Sequence, residues 1–122
     1  MFIVAYCPPK SLGQREGAHR FKLVGVADSV EVVMIILRRH NPKGSVTDRL
    51  RRTLQSEGMC VTGGRYVTID LRSDRIRKIA DGVSARSSIQ VAHSGIDDDT
   101  VRDIFFNGMA IYRNQKINDI FR

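Results

Sequence analysis

This 122-residue sequence has few aromatic residues and only two cysteines. Trp is absent and aromatic residues make up 7% of the chain, whereas hydrophobic residues of all kinds make up 42%. The chain can therefore bury a core, but Val, Ile, Leu and Met must supply it. Cys7 and Cys60 are too few for a disulfide framework, and neither belongs to a CxxC pair. We expect both to behave as small apolar side chains in a reduced, cytoplasmic protein.

Long apolar runs are also missing from the sequence. The longest extends from Val32 to Leu37, far below the roughly 20 residues of a transmembrane helix. The apolar start MFIVAYCPP is too short for the core of a signal peptide and has no basic beginning. We therefore expect no membrane partner and a cytoplasmic location, which for a viral protein means the host cytoplasm or the particle interior.

Motifs of known catalytic sites are absent as well. The sequence contains no P-loop, no GxGxxG and no Ser nucleophile elbow. Three histidines lie far apart, at a spacing that does not favour acid–base catalysis: His19, His40 and His93. Asp70 and Asp74 lack the Glu-x-Lys partner of a metal nuclease, and the acidic run 97–99 suits a helix start better than a metal site. We expect no enzymatic activity, no metal and no cofactor.

Positive charge is the strongest feature that is present. Twenty Lys and Arg residues face thirteen Asp and Glu, which gives a net charge of +7 and a pI near 10.0. Such an excess attracts polyanions, and contacts to phosphates alone can hold nucleic acid. Arg predominates over Lys, and its planar guanidinium suits phosphate. Solubility alone is the other interpretation of a basic composition.

Local patterns predict strands in the first third and in the middle of the chain. The run from Phe2 to Cys7 is apolar and closes at a double proline, and a second strand is expected over 20–26. Gly63-Gly64 joins two strand-like runs, which predicts a hairpin over 59–71 because a type I′ turn needs positive φ at both central residues. A further short strand is expected within 88–92.

Helices are predicted in four segments. The first is 28–40, where Asp28 and Glu31 have capping-box spacing at the start and the basic run 38–40 suits a helix C-terminus. Its many β-branched residues leave a buried strand open as an alternative. Ser45 and Gly58 bound the second helix, whose apolar stripe is Val46, Leu50 and Leu54. Ser73 caps a third helix over 74–83, and a fourth covers 97–112 with an extension through 114–122. The prediction is one α+β domain over 1–122, with a small antiparallel sheet and about four helices.

The order of elements over 28–71 resembles the core of winged-helix proteins. The segment contains a helix, a turn, a helix and a β-ribbon, with basic residues on the second helix. This resemblance implies that the second helix enters the major groove of DNA and that the ribbon contacts the backbone. The alternative is a helix and a hairpin that belong to another α+β fold.

Two arginine clusters are the candidates for binding phosphate. Arg49 and Arg52 lie opposite the apolar stripe of the second helix, with Arg51 on its flank. A second basic cluster follows the hairpin over 72–78, and it either shares one face with the first or forms a separate solvated surface. We expect nucleic acid, without distinguishing DNA from RNA, to contact Arg49, Arg51, Arg52, Arg65, Arg72, Arg75 and Lys78.

The apolar C-terminal stretch supports an alternative function. Ile117, Ile120 and Phe121 follow the main helical stripe, and chain ends fray unless they dock. They would either cover the strands at 2–7 and 20–26 or form the interface of a homodimer, which places two basic faces on one particle and favours a larger nucleoprotein assembly. In the alternative, the protein is a structural or assembly accessory, for example of a viral or phage particle, that acts through protein contacts.

Overall fold

Within the residues that the structure describes, the chain forms two β-hairpins, each followed by two helices. The computed structural model describes residues 1–8, 21–42, 48–63, 65–82 and 98–120. The strands are β1 (Phe2–Tyr6), β2 (Lys22–Ala27), β3 (Met59–Thr62) and β4 (Tyr66–Asp70). The helices are α1 (Val30–His40), α2 (Asp48–Glu57), α3 (Asp74–Ala80) and α4 (Asp98–Ile120). The predicted single α+β domain with an antiparallel sheet is confirmed.

The four strands form one antiparallel sheet in the order β2-β1-β4-β3. β1 and β4 are the interior strands, and their pairing places Val4 opposite Thr68. The predicted hairpin is formed by β3 and β4, and Gly63 takes the positive φ of 60° that the turn requires. Gly64 lies outside the described residues.

Helices cover both faces of this sheet. Alternate residues of β1 point to opposite sides, so that Phe2 and Val4 pack beneath α1 and α2 while Ile3 and Ala5 pack beneath α3 and α4. An interior strand covered on both sides needs apolar residues in both directions, which explains the uninterrupted apolar run at the start of the chain. The result is a three-layer domain with one core on each side of the sheet.

The segment 28–40 forms the helix α1 from Val30 onwards, so the alternative of a buried strand is wrong. Ser29, and not Asp28, is the N-cap, because its Oγ accepts the backbone N–H of Val32 at 3.3 Å. Glu31 lies in the first turn and the basic residues 38–40 lie in the last, where each charge complements the helix dipole. These end signals and the packing against the sheet outweigh the strand preference of its β-branched residues.

Glycines end two of the other helices. Gly58 stops α2 with a φ of 76°, as predicted. Ser73 caps α3 by accepting the backbone N–H of Ile76 at 3.4 Å, but this helix ends at Ala80, three residues before the predicted end. The reason is Gly82, whose φ of 75° leaves the helical region.

The fourth helix runs without a break from Asp98 to Ile120, so it joins the predicted helix to most of its predicted extension. Asp98 and Asp99 lie in its first turn, and an ion pair of 3.4 Å joins Asp99 to Arg102. Ile104 and Phe105 are buried against the sheet. Among the residues described, no helix has the length and apolar character that crossing a membrane requires.

The winged-helix arrangement is not formed. Its elements occur in the predicted order, but β4 is an interior strand that pairs with β1 along its whole length. The hairpin is therefore part of the central sheet and cannot act as a separate wing. Several predicted features lie outside the described residues: the strand within 88–92, Ser45, Val46, Val83, His19, His93, Asp97 and Phe121.

Candidate nucleic-acid interface

One end of the sheet brings together residues that are far apart in sequence. This turn end is where β1 and β3 finish and β2 and β4 begin. Tyr6 pairs with Lys22 on one side and with Tyr66 on the other, and the two tyrosine rings lie 5.0 Å apart. The hydroxyl of Tyr66 donates to the carbonyl oxygen of His40 at 3.1 Å. The last turn of α1 is thereby held against the turn end.

Four exposed cations lie on the strand ends and helix end that meet at the turn end, and we call them the turn-end cluster: Lys22, Arg38, Arg39 and Arg65. Lys22 begins β2, Arg65 directly precedes Tyr66, and the other two lie in the last turn of α1. Within the part of the chain that the structure describes, none of the four forms an ion pair. Their charges therefore face solvent, with no acidic partner among these residues.

The predicted cluster on α2 lies on the same side of the sheet as α1. Leu50 and Leu54 are buried beneath α2, so the predicted stripe faces the core, and Arg49 and Arg52 are exposed on the outer side. Arg51 instead joins α2 to α1, because its guanidinium donates to the carboxylate of Glu31 at 2.6 Å.

The contact with Arg51 changes the pKa of the Glu31 carboxylate. The hydrogen bond from Arg51 holds the pKa of Glu31 below its ordinary value, and the positive charge of the guanidinium acts in the same direction. An arginine already bound to a carboxylate has less to gain from an added anion, so Arg51 is less available to a ligand than Arg49 and Arg52 are.

The basic residues over 72–78 lie at the opposite end of the sheet, which we call the Gly58 end. There the N-terminus of α3 meets the C-terminus of α2, and Arg75 pairs with Glu57 at 2.9 Å. Arg72 lies 3.5 Å from the carboxylate of Asp70 and above the ring of Phe2. Arg77 and Lys78 are exposed, and neither forms an ion pair within the described residues.

The two predicted clusters lie on opposite layers of the domain. α2 packs on one face of the sheet and α3 on the other, so the two clusters do not form one flat basic surface. Their nearest link is the Arg75–Glu57 pair beside the start of β3. Because successive strand residues point to opposite faces, the sheet presents an apolar surface on each side, and the helices after β2 cover one side while those after β4 cover the other.

We call the basic residues at positions 72–78 the α3 cluster. A pocket of about 330 Å³ opens beside it. It is lined by Met1, Leu71, Arg72, Asp74, Arg77, Met109 and Tyr112. Gly108 permits its shape, since a Cβ there would lie 3.0 Å from Leu71 Cδ2, and this close approach brings the next turn of α4 over the pocket. Two arginines and one carboxylate at an apolar floor give the pocket mixed character, so it is not a site for phosphate alone.

No protein-family model matches the chain, and comparison with curated proteins and with solved structures returned no significant match. The functional argument therefore depends on the geometry of this molecule.

Sequence reasoning missed most of the turn-end cluster. The pattern around residues 38–40 indicates only complements of the helix dipole, and Lys22 lies within a predicted strand. Neither carries a local signal for phosphate binding. The end of α1 comes near Arg65 through the Tyr66–His40 contact, and Lys22 comes near it because Tyr6 pairs with both Lys22 and Tyr66. A useful sequence signal is the charge imbalance over residues 38–40, since two arginines and a histidine lie together without an acidic neighbour.

The remaining predicted residues have simpler outcomes. Ile117 and Ile120 lie within α4, but the structure describes the backbone and not the side chains at these positions. Cys7 and Cys60 are both buried, as expected for small apolar side chains. Burial raises the pKa of the Cys60 thiol, which keeps it protonated and unreactive.

Proposed function

We propose that this protein is a non-enzymatic nucleic-acid-binding protein that holds the phosphate backbone through arginine side chains. The observation that carries the proposal is the turn-end cluster, where four exposed cations form no ion pair within the described residues. Nucleic acid that is neutralised by such cations releases its own condensed counterions, which drives binding. The overall charge of +7 adds a long-range attraction.

The side of the domain that carries α1 and α2 is the primary surface in this proposal. Arg49, Arg52 and Arg65 are the predicted contacts there that form no ion pair among the described residues, and the turn-end cluster extends them. The other predicted arginines, Arg51, Arg72 and Arg75, are bound to carboxylates, so a phosphate must compete with an acidic side chain for each of them. They are peripheral contacts, together with Lys78 on the opposite layer.

The row formed by Lys22, Tyr6 and Tyr66 at the turn end has a length that suits a nucleic-acid strand. Lys22 and Tyr66 flank Tyr6 on neighbouring strands, which places the ends of this row roughly 10 Å apart. That span covers about three rise steps of one DNA strand. The half-buried rings of Tyr6 and Tyr66 lie within the same row, where an unpaired base could stack on an aromatic side chain.

Binding measured against salt tests this proposal. Fluorescence anisotropy with labelled duplex DNA, single-stranded DNA and single-stranded RNA of equal length should show association near 50 mM salt, weakening steeply towards roughly 200 mM. The comparison of the three probes also separates DNA from RNA and single from double strands. Absence of binding to all three at the low-salt end contradicts the proposal.

The second candidate is an assembly accessory, for example of a viral or phage particle, which acts through protein contacts as a homodimer or within a larger nucleoprotein. The supporting observation is that α4 continues for eight residues beyond Tyr112, the last of its residues that packs against the core among those described. Ile117, Ile120 and Phe121 would supply the contact. Association with a protein partner that is independent of salt, in a protein that binds none of the three nucleic acids, favours this candidate.

A further inference from the structure

The helix α1 has more apolar residues than the side that faces the sheet can bury. Its first eight residues, VEVVMIIL, are apolar except for Glu31, yet only Val33 and Leu37 are buried. Ile35 is 50% exposed, and the side chains next to it are only partly buried. A helix that is apolar on all sides normally lies inside a protein or an assembly, so the outer side of α1 calls for a partner.

The exposed residues of α1 form an ordered stripe. At 3.6 residues per turn, Ile35 lies opposite the direction of Val33 and Leu37, which face the sheet. Glu31 is one turn before Ile35, and Arg38 and Arg39 are one turn after it, all on the outer side. The stripe therefore has an acid at one end, an apolar centre and bases at the other end.

This stripe is complementary to itself in one orientation. When a second α1 lies antiparallel, with Ile35 against Ile35, each Glu31 faces Arg38 of the other copy. The helix dipoles are then also aligned favourably, since opposite ends of the two helices lie side by side. A parallel orientation would instead place acid on acid and base on base. Arg51 already contacts Glu31, but the two oxygens of a carboxylate can accept hydrogen bonds from a second arginine.

We propose that two copies of this chain associate through α1, antiparallel about a two-fold axis that passes between the two Ile35 side chains. Such a contact is isologous and closed, which is the commonest form of homo-oligomer. It is a different interface from the end of α4, and it holds whether or not the protein binds nucleic acid. The dimer would carry a turn-end cluster at each end of the helix pair.

The interface is small, and this sets the expected affinity. Eleven residues of helix extend over roughly 16 Å, which is short for a standard interface of about 800 Å² per partner. We expect a dissociation constant in the micromolar range, about 10 to 100 µM, unless other surfaces contribute. In the dimer Arg38 is engaged by Glu31, so nucleic acid that bridges the remaining turn-end cations of both copies, Lys22, Arg39 and Arg65, would favour the dimer further.

Sedimentation equilibrium with matched variants tests the dimer. The parent chain should approach twice the monomer mass of 13.8 kDa as its concentration rises to about 100 µM. Ile35→Ser should weaken association at least about tenfold, whereas Phe106→Ser should not change it. Phe106 is the matched control because it is 51% exposed on α4, on the opposite layer. A parent that stays monomeric at this concentration overturns the proposal, as does dissociation by Phe106→Ser but not by Ile35→Ser.

A charge exchange tests the antiparallel orientation. Glu31→Arg and Arg38→Glu should each be monomeric alone, because each homodimer brings like charges together. Mixed in equal amounts, they should form a heterodimer, because position 31 of each copy then faces a side chain of opposite charge at position 38 of the other copy. Thermal unfolding followed by circular dichroism verifies that both variants are folded. A mixture of folded variants that stays monomeric excludes this arrangement.

Discussion

The two ends of the central sheet contain similar numbers of cations in different circumstances. At the Gly58 end, two of the four cations, Arg72 and Arg75, are bound to carboxylates, and helices α2 and α3 meet through close packing. At the turn end, the four cations of the turn-end cluster form no ion pair within the described residues. The comparison teaches that a basic run in a sequence does not measure the charge available to a ligand, because that depends on which acids the fold brings beside it.

The largest expected effect is on stability at the Gly58 end. Gly58→Ala would drive a Cβ into Ser73 Oγ and force a side chain into positive φ. We expect a loss of about 3 kcal/mol in the free energy of unfolding, from strain and overcrowding together. Gly63→Ala at the turn end should cost only about 1 kcal/mol, since its nearest contact is a side-chain amide at 3.0 Å. Urea denaturation measures both, and equal losses would contradict the comparison.

The next effect is on nucleic-acid affinity. The triple variant Arg38→Ala, Arg39→Ala and Arg65→Ala should bind at least about tenfold more weakly. The slope of log K against log salt should fall by about 2.7, or about 0.9 for each lost phosphate contact. The control variant replaces three cations near the other end with Ala: Arg72, Arg75 and Lys78. Its affinity and its salt slope should both fall by less than those of the triple variant. If the control loses more, the α3 cluster is the primary surface and our ranking of the two ends is wrong.

A smaller effect is expected from α2, between the two ends. Arg49→Ala with Arg52→Ala should weaken binding about fivefold, because two solvent-exposed phosphate ligands are lost. The free energy of unfolding should change by no more than about 0.5 kcal/mol, since both side chains point away from the buried Leu50 and Leu54. Unfolding of this variant, or unchanged binding, would remove α2 from the proposed surface.

The smallest effect concerns the ion pair between α1 and α2. The folded-state pKa of Glu31 is lowered, so its contact with Arg51 stabilises the protein fully above the ordinary pKa of a Glu side chain. That contribution is lost as the pH falls through the lowered value. Glu31→Gln should therefore reduce stability slightly near neutral pH and leave stability in strong acid, below the lowered pKa, nearly unchanged. Thermal unfolding at the two pH values in low salt gives the difference, and an equal shift at both would mean that charge is not the cause.

Much of the fold could be predicted because its signals are local. Ser73, Gly58 and Gly63 act through their own backbone geometry, and the apolar run of β1 follows from its burial on both sides. The predicted cap of α1 is one residue from the observed one, since Asp28 and Ser29 both suit that position. The predicted end of α3 is three residues too late, because the apolar period continues while Gly82 interrupts the backbone.

The candidate site could be predicted only in part. The exposed positions of Arg49 and Arg52 follow from the period of α2 and need no tertiary information. The neutralisation of Arg51 by Glu31 joins residues twenty positions apart, and the pairing of Arg75 with Glu57 joins two helices on opposite layers. Such contacts have no periodic signature, so the sequence could not separate available arginines from bound ones.

By itself, the sequence determined the class of this domain, because caps, turns and apolar periods act over a few residues and follow directly from residue types. It also determined the excess of positive charge. Only the tertiary structure decided where that charge is available. The packed domain has α2 on one face of the sheet and α3 on the other, and the contact between Tyr66 and His40 brings the end of α1 to the hairpin turn. Both depend on distances between residues that are remote along the chain, and those distances are set by the packing of the whole domain.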